Sequence, residues 1–351
     1  MASPAKGFEK IRADSVMVAS LDCMPVYCSR ARSGRCYARL CGFKTDVRQG
    51  AAMEDEGRVR RGIAMTLLGG TLWGINGTVA GYLMDAYDID PFWFACMREL
   101  LGCWLFLIPA WLGNRTALEE AISSPQNLLR IYTVGLFAIL FSQISYLQAI
   151  FWTNSATATI IQSLGMLLVL GFICITTRRL PRKREMLGVI SALIGTYLVA
   201  TGGRSGQLAL PPLGMVWGIL LAASAACLSI VPKRAIEKWG NFTVNGLAFL
   251  MSGITLAFIV RPWERIPAFD LAGLALFAFC IVFGTFGAYA LFLQGVRDAG
   301  SMRAALLGAI EPVTATVATV LWLRTSFSVA DIAGFALILA MVAFTTGADE
   351  G

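Results

Sequence analysis

Ten apolar runs, each about as long as a membrane crossing, dominate the sequence. They are roughly 62–84, 91–113, 131–151, 156–177, 186–203, 214–232, 242–260, 271–293, 303–323 and 329–347. A hydrocarbon core of ~30 Å is crossed by about 20 helical residues rising ~1.5 Å each. Inside that core a backbone meets its own hydrogen-bonding needs only in helices or closed barrels. The runs are continuous rather than alternating. They predict an all-α integral membrane protein with ten transmembrane helices. Composition agrees: the chain is 57% hydrophobic and 15% charged, against roughly 25% charged for a soluble domain. The joints between runs carry turn and charge signals, as in "DAYDIDP", "RRLPRKRE" and "RPWERIPAFD".

Lysine and arginine set the orientation. With the residues before the first run in the cytoplasm, the cytoplasmic joints hold fifteen Lys/Arg between Arg58 and Arg303, and the outer joints hold four: Arg204, Arg261, Arg265 and Arg324. Both termini are therefore expected in the cytoplasm of a multi-pass plasma-membrane protein. Trp93, Trp111, Trp152, Trp263 and Trp322 fall near run ends, where interfacial tryptophans belong. The net charge of +7 reflects this bias and the N-terminal tail, and does not argue for a nucleic-acid partner. The chain has no histidine, which removes His-based metal sites and His general bases. No metal or cofactor is expected.

The N-terminal stretch differs from the rest. Residues 1–52 hold nine Lys/Arg against four acids and no long apolar run. Residues 1–61 read as a disordered basic tail, with Met53 an alternative start. Cys23, Cys28, Cys36 and Cys41 are spaced C-x4-C-x7-C-x4-C, which fits the usual paired spacing of zinc ligands poorly.

An internal repeat follows from a shift of 146 residues. Gln148, Ser155, Ala158, Arg178, Gly188 and Leu193 land on Gln294, Ser301, Ala304, Arg324, Gly334 and Leu339 without a gap. Trp73-Gly74 lands on Trp217-Gly218 at a shift of 144. The halves are residues 62–203 and 214–347. Five runs per half is an odd number, so the second copy sits upside down: two inverted five-helix repeats, a common plan of secondary transporters.

The "WG" pair of each half, Arg98 early in the second run, "SYLQAIFWTNSATATIIQS", and "YALFLQGVRDAGSMRAALLGAIEPVTA" together resemble the EamA-type transporters of the drug/metabolite transporter superfamily. The resemblance runs over nearly all of residues 62–347. It implies ten helices around a central cavity that moves small metabolites, often outward. The family often has a proline where this chain has Met166.

Ionisable residues deep in a membrane are costly and normally face the interior or a wet cavity. Three stand in mid-run: Arg98, Glu99 and Glu311. Arg98 and Glu311 differ in expected height by ~8 Å, which leaves their contact open. Glu99 points about 100° away from Arg98. Glu311 is followed by Pro312 in "GAIEPVTATVATVLW"; proline frees a backbone carbonyl, so the pair suggests a bend lining a cavity. Glu311 reads either as a substrate or proton site or as a polar link between helices. Asn76, Tyr146, Gln162, Asn245 and Tyr289 offer hydrogen bonds at similar depth, and Trp73 and Trp217 offer flat walls. Gly70, Gly74, Gly77 and Gly81 share one face, as do Gly188, Gly195 and Gly202. Both stripes read as packing seams.

The sequence thus predicts a secondary transporter or exporter of small metabolites, working by alternating access, with proton coupling through Glu311 open. It has no G-x-x-x-x-G-K-[ST] motif for ATP. The expected partners are a small-molecule substrate and the bilayer. The alternative is a membrane-embedded enzyme acting on lipids or isoprenoids, which usually gathers acids, histidines or serines at one interface.

Overall fold

Apolar runs become helices throughout. The structure, a computed structural model, describes residues 41–204 and 209–346, with nearly all side chains from Gly57 onward. Ala51–Gly351 forms one unit, described here. Residues 1–40, which include most of the expected tail and three of its four cysteines, lie outside the described residues.

The first half contains α1 (Cys41–Ala86), α2 (Pro91–Gly113) and the short α3 (Arg115–Ile122). Next come α4 (Pro125–Val134), a π segment (Gly135–Leu140) and α5 (Phe141–Trp152). It ends with α6 (Ser155–Gln162), α7 (Gly165–Thr176) and α8 (Lys183–Thr201). The second half contains α9 (Pro212–Ile230), α10 (Lys233–Trp239), α11 (Asn241–Val260) and α12 (Leu271–Ile281). A second π segment (Val282–Gly287), α13 (Ala288–Ala299), α14 (Ser301–Leu307), α15 (Ile310–Leu323) and α16 (Val329–Thr346) complete it. No strand occurs among the described residues. α1 is helical from Cys41, well upstream of the first apolar run.

Eight helical stretches among the described residues are long and apolar enough to cross a membrane. The last two of the ten runs appear as shorter apolar helices, α15 and α16. In the ninth run a turn at Gly308-Ala309 separates α14 from α15.

Local chemistry sets the joints. Asp90 accepts from the backbone N–H groups of Phe92 (2.8 Å) and Trp93 (3.1 Å) and is followed by Pro91, so α2 begins there. Asn154 caps α6 through Thr157 N–H at 2.9 Å, and Asp270 caps α12 through Gly273 N–H at 2.7 Å. Asp270 also accepts from the Tyr87 hydroxyl, which ties the joint after α1 to the start of α12 and holds the Asp270 carboxyl below its ordinary range. Between α10 and α11 the chain reverses at Gly240, whose φ of 78° is open to glycine at no steric cost.

The two halves carry matching irregularities. The π segments begin at Gly135 and Val282, a separation of 147 residues. The turns Ser163-Leu164 and Gly308-Ala309 interrupt α6–α7 and α14–α15 in the same way. In each turn the helix tightens: Leu164 N–H donates to Ile161 O at 3.0 Å, and Ala309 N–H to Leu306 O at 3.2 Å. Packing is matched too, with α2 on α11 and α8 on α16.

Small residues make these seams. A Cβ at Gly246 would lie 2.8 Å from the Leu107 side chain, and one at Gly253 3.1 Å from Glu99 and Leu100, so α2 approaches α11 over two glycines seven residues apart. The Gly188 and Gly195 stripe lies on α16, where Gly195 meets the backbone oxygen of Gly334 at 2.8 Å from an added Cβ. The α1 stripe is divided: Gly70 and Gly74 press on Ile310, Glu311 and Thr314, while Gly77 and Gly81 press on Tyr146, Ser155 and Ile150. One helix of the first half is thereby fitted against both broken regions. A buried hydroxyl chain fixes that meeting point, Thr78 to Ser155 at 2.8 Å and Ser155 to Thr319 at 2.7 Å. On the Asp90 side of the bundle, Val79, Leu83, Met84, Trp93, Phe94, Leu147, Ile150 and Phe277 close into one buried apolar cluster.

Candidate functional site

The interior of the bundle is not filled. A cavity of about 240 Å³ is lined by Trp73, Asn76, Arg98, Tyr146, Gln162, Asn245, Tyr289 and Glu311, joined by Phe106, Ile139, Ser142, Gln143, Leu228, Phe249 and Thr285. Eight of the nine residues singled out from the sequence therefore face one space. Trp217 does not. It stands edge-on to Phe92 with ring centroids 6.4 Å apart. The reason is depth: α9 begins at Pro212, so Trp217 lies only about 7.5 Å along its helix, whereas Trp73 lies far along α1. The two "WG" pairs match in sequence but not in distance from the cavity.

Arg98 is 5% exposed. Its Nε donates to Thr285 Oγ1 at 2.7 Å, and that hydroxyl donates to Cys280 O at 2.9 Å, five residues back. The second π segment thus positions the guanidinium. Arg98 Nη1 is buried with no hydrogen-bond partner among the described residues. Asn76 packs into the same segment: a Cβ on Gly284 would lie 2.1 Å from Asn76 Oδ1. That oxygen, and Gln162 Oε1, are also buried without hydrogen-bond partners among the described residues. Glu311, in the first turn of α15, lines this cavity and an adjoining one of about 380 Å³. The second cavity runs between the two helix breaks, past Ser163, Met166, Gly308 and Pro312, and shares Gln162, Leu228 and Glu311 with the first.

Arg98 and Glu311 do not pair. Among the described residues neither forms an ion pair with any group. Both line the same cavity system.

The remaining candidates form its wall. Asn245 Nδ2 donates to the Tyr289 hydroxyl at 2.9 Å, and that hydroxyl donates to Asn241 Oδ1 at 2.7 Å. Trp73 meets Tyr289 edge-on at 6.4 Å and Phe292 at 5.0 Å. Phe106 stands edge-on to Tyr289 at 5.5 Å. Tyr146 packs its hydroxyl against Gly77. Glu99 is turned from the cavity into the α2–α11 seam, where the Ser252 hydroxyl donates to it at 2.7 Å.

Thr285 was missed from the sequence. Its signal is faint: a threonine between glycines in "VFGTFG", which a shift of 146 places on Ile139, another lining residue.

A multi-pass helical membrane protein with a polar and aromatic cavity between similar halves has the architecture of a transporter. The chain belongs to the EamA-like transporter family, whose pattern matches twice, over residues 60–201 and 212–347. Its relatives include the "Uncharacterized inner membrane transporter YicL" of Salmonella typhimurium, 28% identical over 289 residues that span 82% of this chain and 95% of the relative. An "Uncharacterized transporter" of Archaeoglobus fulgidus is 21% identical across 77% of this chain and 92% of its own. The "Uncharacterized transporter YwfM" of Bacillus subtilis is 22% identical, covering 78% and 89%. A solved crystal structure superposes with a TM-score of 0.56 over 84% of this chain and 98% of the other, at 19% identity, which speaks for the fold alone. The protein is a membrane transporter with a small-molecule substrate.

Proposed function

We propose that this protein is a secondary transporter of small metabolites that works by alternating access between two inverted five-helix halves, residues 62–203 and 214–347. The carrying observation is that Arg98 and Glu311 line one cavity and that neither has an ion-pair partner among the described residues. A buried charge without a partner is costly. Two such residues on one cavity are sensible where a third party supplies the partners. The cargo places an anionic group on Arg98 Nη1, while Glu311 takes a cationic group or a proton.

The matched π segments, matched breaks and paired seams support ten crossings in two copies, with α15 and α16 as the ninth and tenth. With both termini in the cytoplasm, the apolar cluster around Trp93 and Phe277 closes the outer side. The second cavity then extends toward the cytoplasmic halves of α7, α9 and α13, which corresponds to an inward-facing state. The two breaks at Ser163-Leu164 and Gly308-Ala309 are the flexible points on which the halves exchange access.

Counterflow in liposomes tests this. Purified protein preloaded with a metabolite mixture should exchange labelled anionic or zwitterionic members unchanged, and Arg98→Gln should lose at least about tenfold in exchange while remaining folded. A chemically altered lipid or metabolite product would instead support a membrane enzyme. Full exchange by Arg98→Gln would remove the arginine from the site.

A further inference from the structure

A second cleft lies outside the transport path. It encloses about 370 Å³ where α4 and the α9–α10 junction part, and Arg130, Thr133, Val231, Arg234, Lys238 and Trp239 line it. Further along, α9 packs on the first π segment and α5, so the cleft closes toward the middle of the bundle. Arg130 and Arg234 are exposed and have no hydrogen-bonding or ionic side-chain partner among the described residues. Lys238 is already engaged, 2.9 Å from Glu120 on α3 and 4.6 Å above the Trp239 ring. Glu237, the one acid of α10, does not line the cleft. Two arginines from different halves of the chain thus face one space with nothing to neutralise them.

Basic residues at the cytoplasmic ends of helices orient any membrane protein, and alone they imply no ligand. Here the cations border an apolar track. Val134, four residues after Arg130 on α4, and Ala235, next to Arg234 on α10, line the cleft beside the cations. Val231, three before Arg234, is 36% exposed. A soluble anion has use for the arginines only, whereas an amphiphile uses both parts. We propose that this cleft binds an anionic phospholipid, its phosphodiester on Arg130 and Arg234 and an acyl chain along Val134 and Val231. Because α4 belongs to the first half and α10 to the second, the lipid bridges the two halves at their cytoplasmic ends. The inference rests on membrane embedding and not on the nature of the cargo.

The full-length protein, purified in neutral detergent, is titrated with phosphatidylglycerol, with phosphatidylcholine, and with inorganic phosphate. Retained adducts are read by native mass spectrometry, and unfolding by thermal melting. Phosphatidylglycerol should remain bound and raise Tm; the other two should do neither. An arginine near an anionic headgroup contributes roughly a factor of five in affinity, so Arg130→Gln with Arg234→Gln should weaken phosphatidylglycerol binding about thirtyfold. If the double variant does not fold, each single variant, expected about fivefold weaker, decides instead. Equal effects of the two lipids, or undiminished phosphatidylglycerol binding by the variants, would overturn the proposal. An equal effect of inorganic phosphate would show a soluble-anion site and overturn the lipid assignment.

Discussion

The fourth and ninth runs break at matching places and differ in what the break carries. α6 ends at Gln162 and α7 resumes at Gly165, with Met166 next; α14 ends at Leu307 and α15 resumes at Ile310, followed by Glu311 and Pro312. The tightened turns are alike, yet only the second copy has a proline. The break therefore belongs to the repeat and not to the proline. What distinguishes the ninth run is its carboxylate, placed on the rim shared by both cavities. A duplicated scaffold supplies the shape, and one copy carries the charge.

The sharpest way to break that comparison is Glu311→Gln. The exchange keeps shape and hydrogen-bonding capacity but removes the charge and the titratable proton. Transport in liposomes should fall at least about tenfold, with melting temperature and yield little changed. If a proton is carried, the residual rate should also lose its dependence on pH. Wild-type rates with an unaltered pH profile would return Glu311 to a purely interhelical role and make the two breaks functionally equivalent.

The next effect is structural and contrasts the two "WG" glycines. A Cβ at Gly74 would lie 2.3 Å from Thr314 Oγ1, 2.5 Å from Glu311 O and 2.8 Å from Ala315 N, two of which are backbone atoms that cannot swing away. A Cβ at Gly218 would meet only the Ile161 side chain, at 3.2 Å. Gly74→Ala should destabilise by about 1–3 kcal/mol through overpacking, and it should displace Glu311 and depress transport. Gly218→Ala should cost less than about 1 kcal/mol. Thermal melting of both variants checks this, and equal losses would mean that α9 is as tightly fitted to its broken neighbour as α1 is.

The apolar runs declared the helices because hydrocarbon leaves the backbone few choices, and the spacing of Gly188 and Gly195 declared a seam, which the structure sets against α16; Gly246 and Gly253, which bring α2 to α11, were not singled out. Arg98 and Glu311 were visible because charge is rare at that depth. Other features had no such marker. A π segment inserts a residue's worth of slack without changing hydropathy, so neither Gly135–Leu140 nor Val282–Gly287 stood out, and Thr285 went unnoticed with the second. The turn at Ser163-Leu164 has neither proline nor glycine within it, and only its partner in the ninth run advertises the break. Trp217 was misjudged because a repeat shift preserves sequence register and not depth relative to the cavity. The amphipathic α3 was taken for part of a joint because its eight residues fall below any spanning length.

The smallest expected effect concerns Pro312 itself. Proline is costly inside a helix because it lacks an N–H and crowds the carbonyl four residues back. Pro312 is the third residue of α15, within the first turn, where N–H groups have no acceptor inside the helix. Its ring therefore removes no bond that α15 would otherwise make. The preceding residue already takes the tightened geometry, Glu311 N–H donating to Gly308 O at 3.0 Å, and Met166 N–H donates to Ser163 O at 3.2 Å in the copy without a proline. Pro312→Ala should change stability by less than about 1 kcal/mol and leave transport within about twofold, that is within ~0.4 kcal/mol. The same exchange made five residues further along, Val317→Pro, should destabilise by about 3 kcal/mol or more, which shows that the assay detects a proline-made break. Were Pro312→Ala to abolish transport while Met166→Pro did nothing, the two breaks would have different origins, and the likeness of the fourth and ninth runs would be one of appearance only.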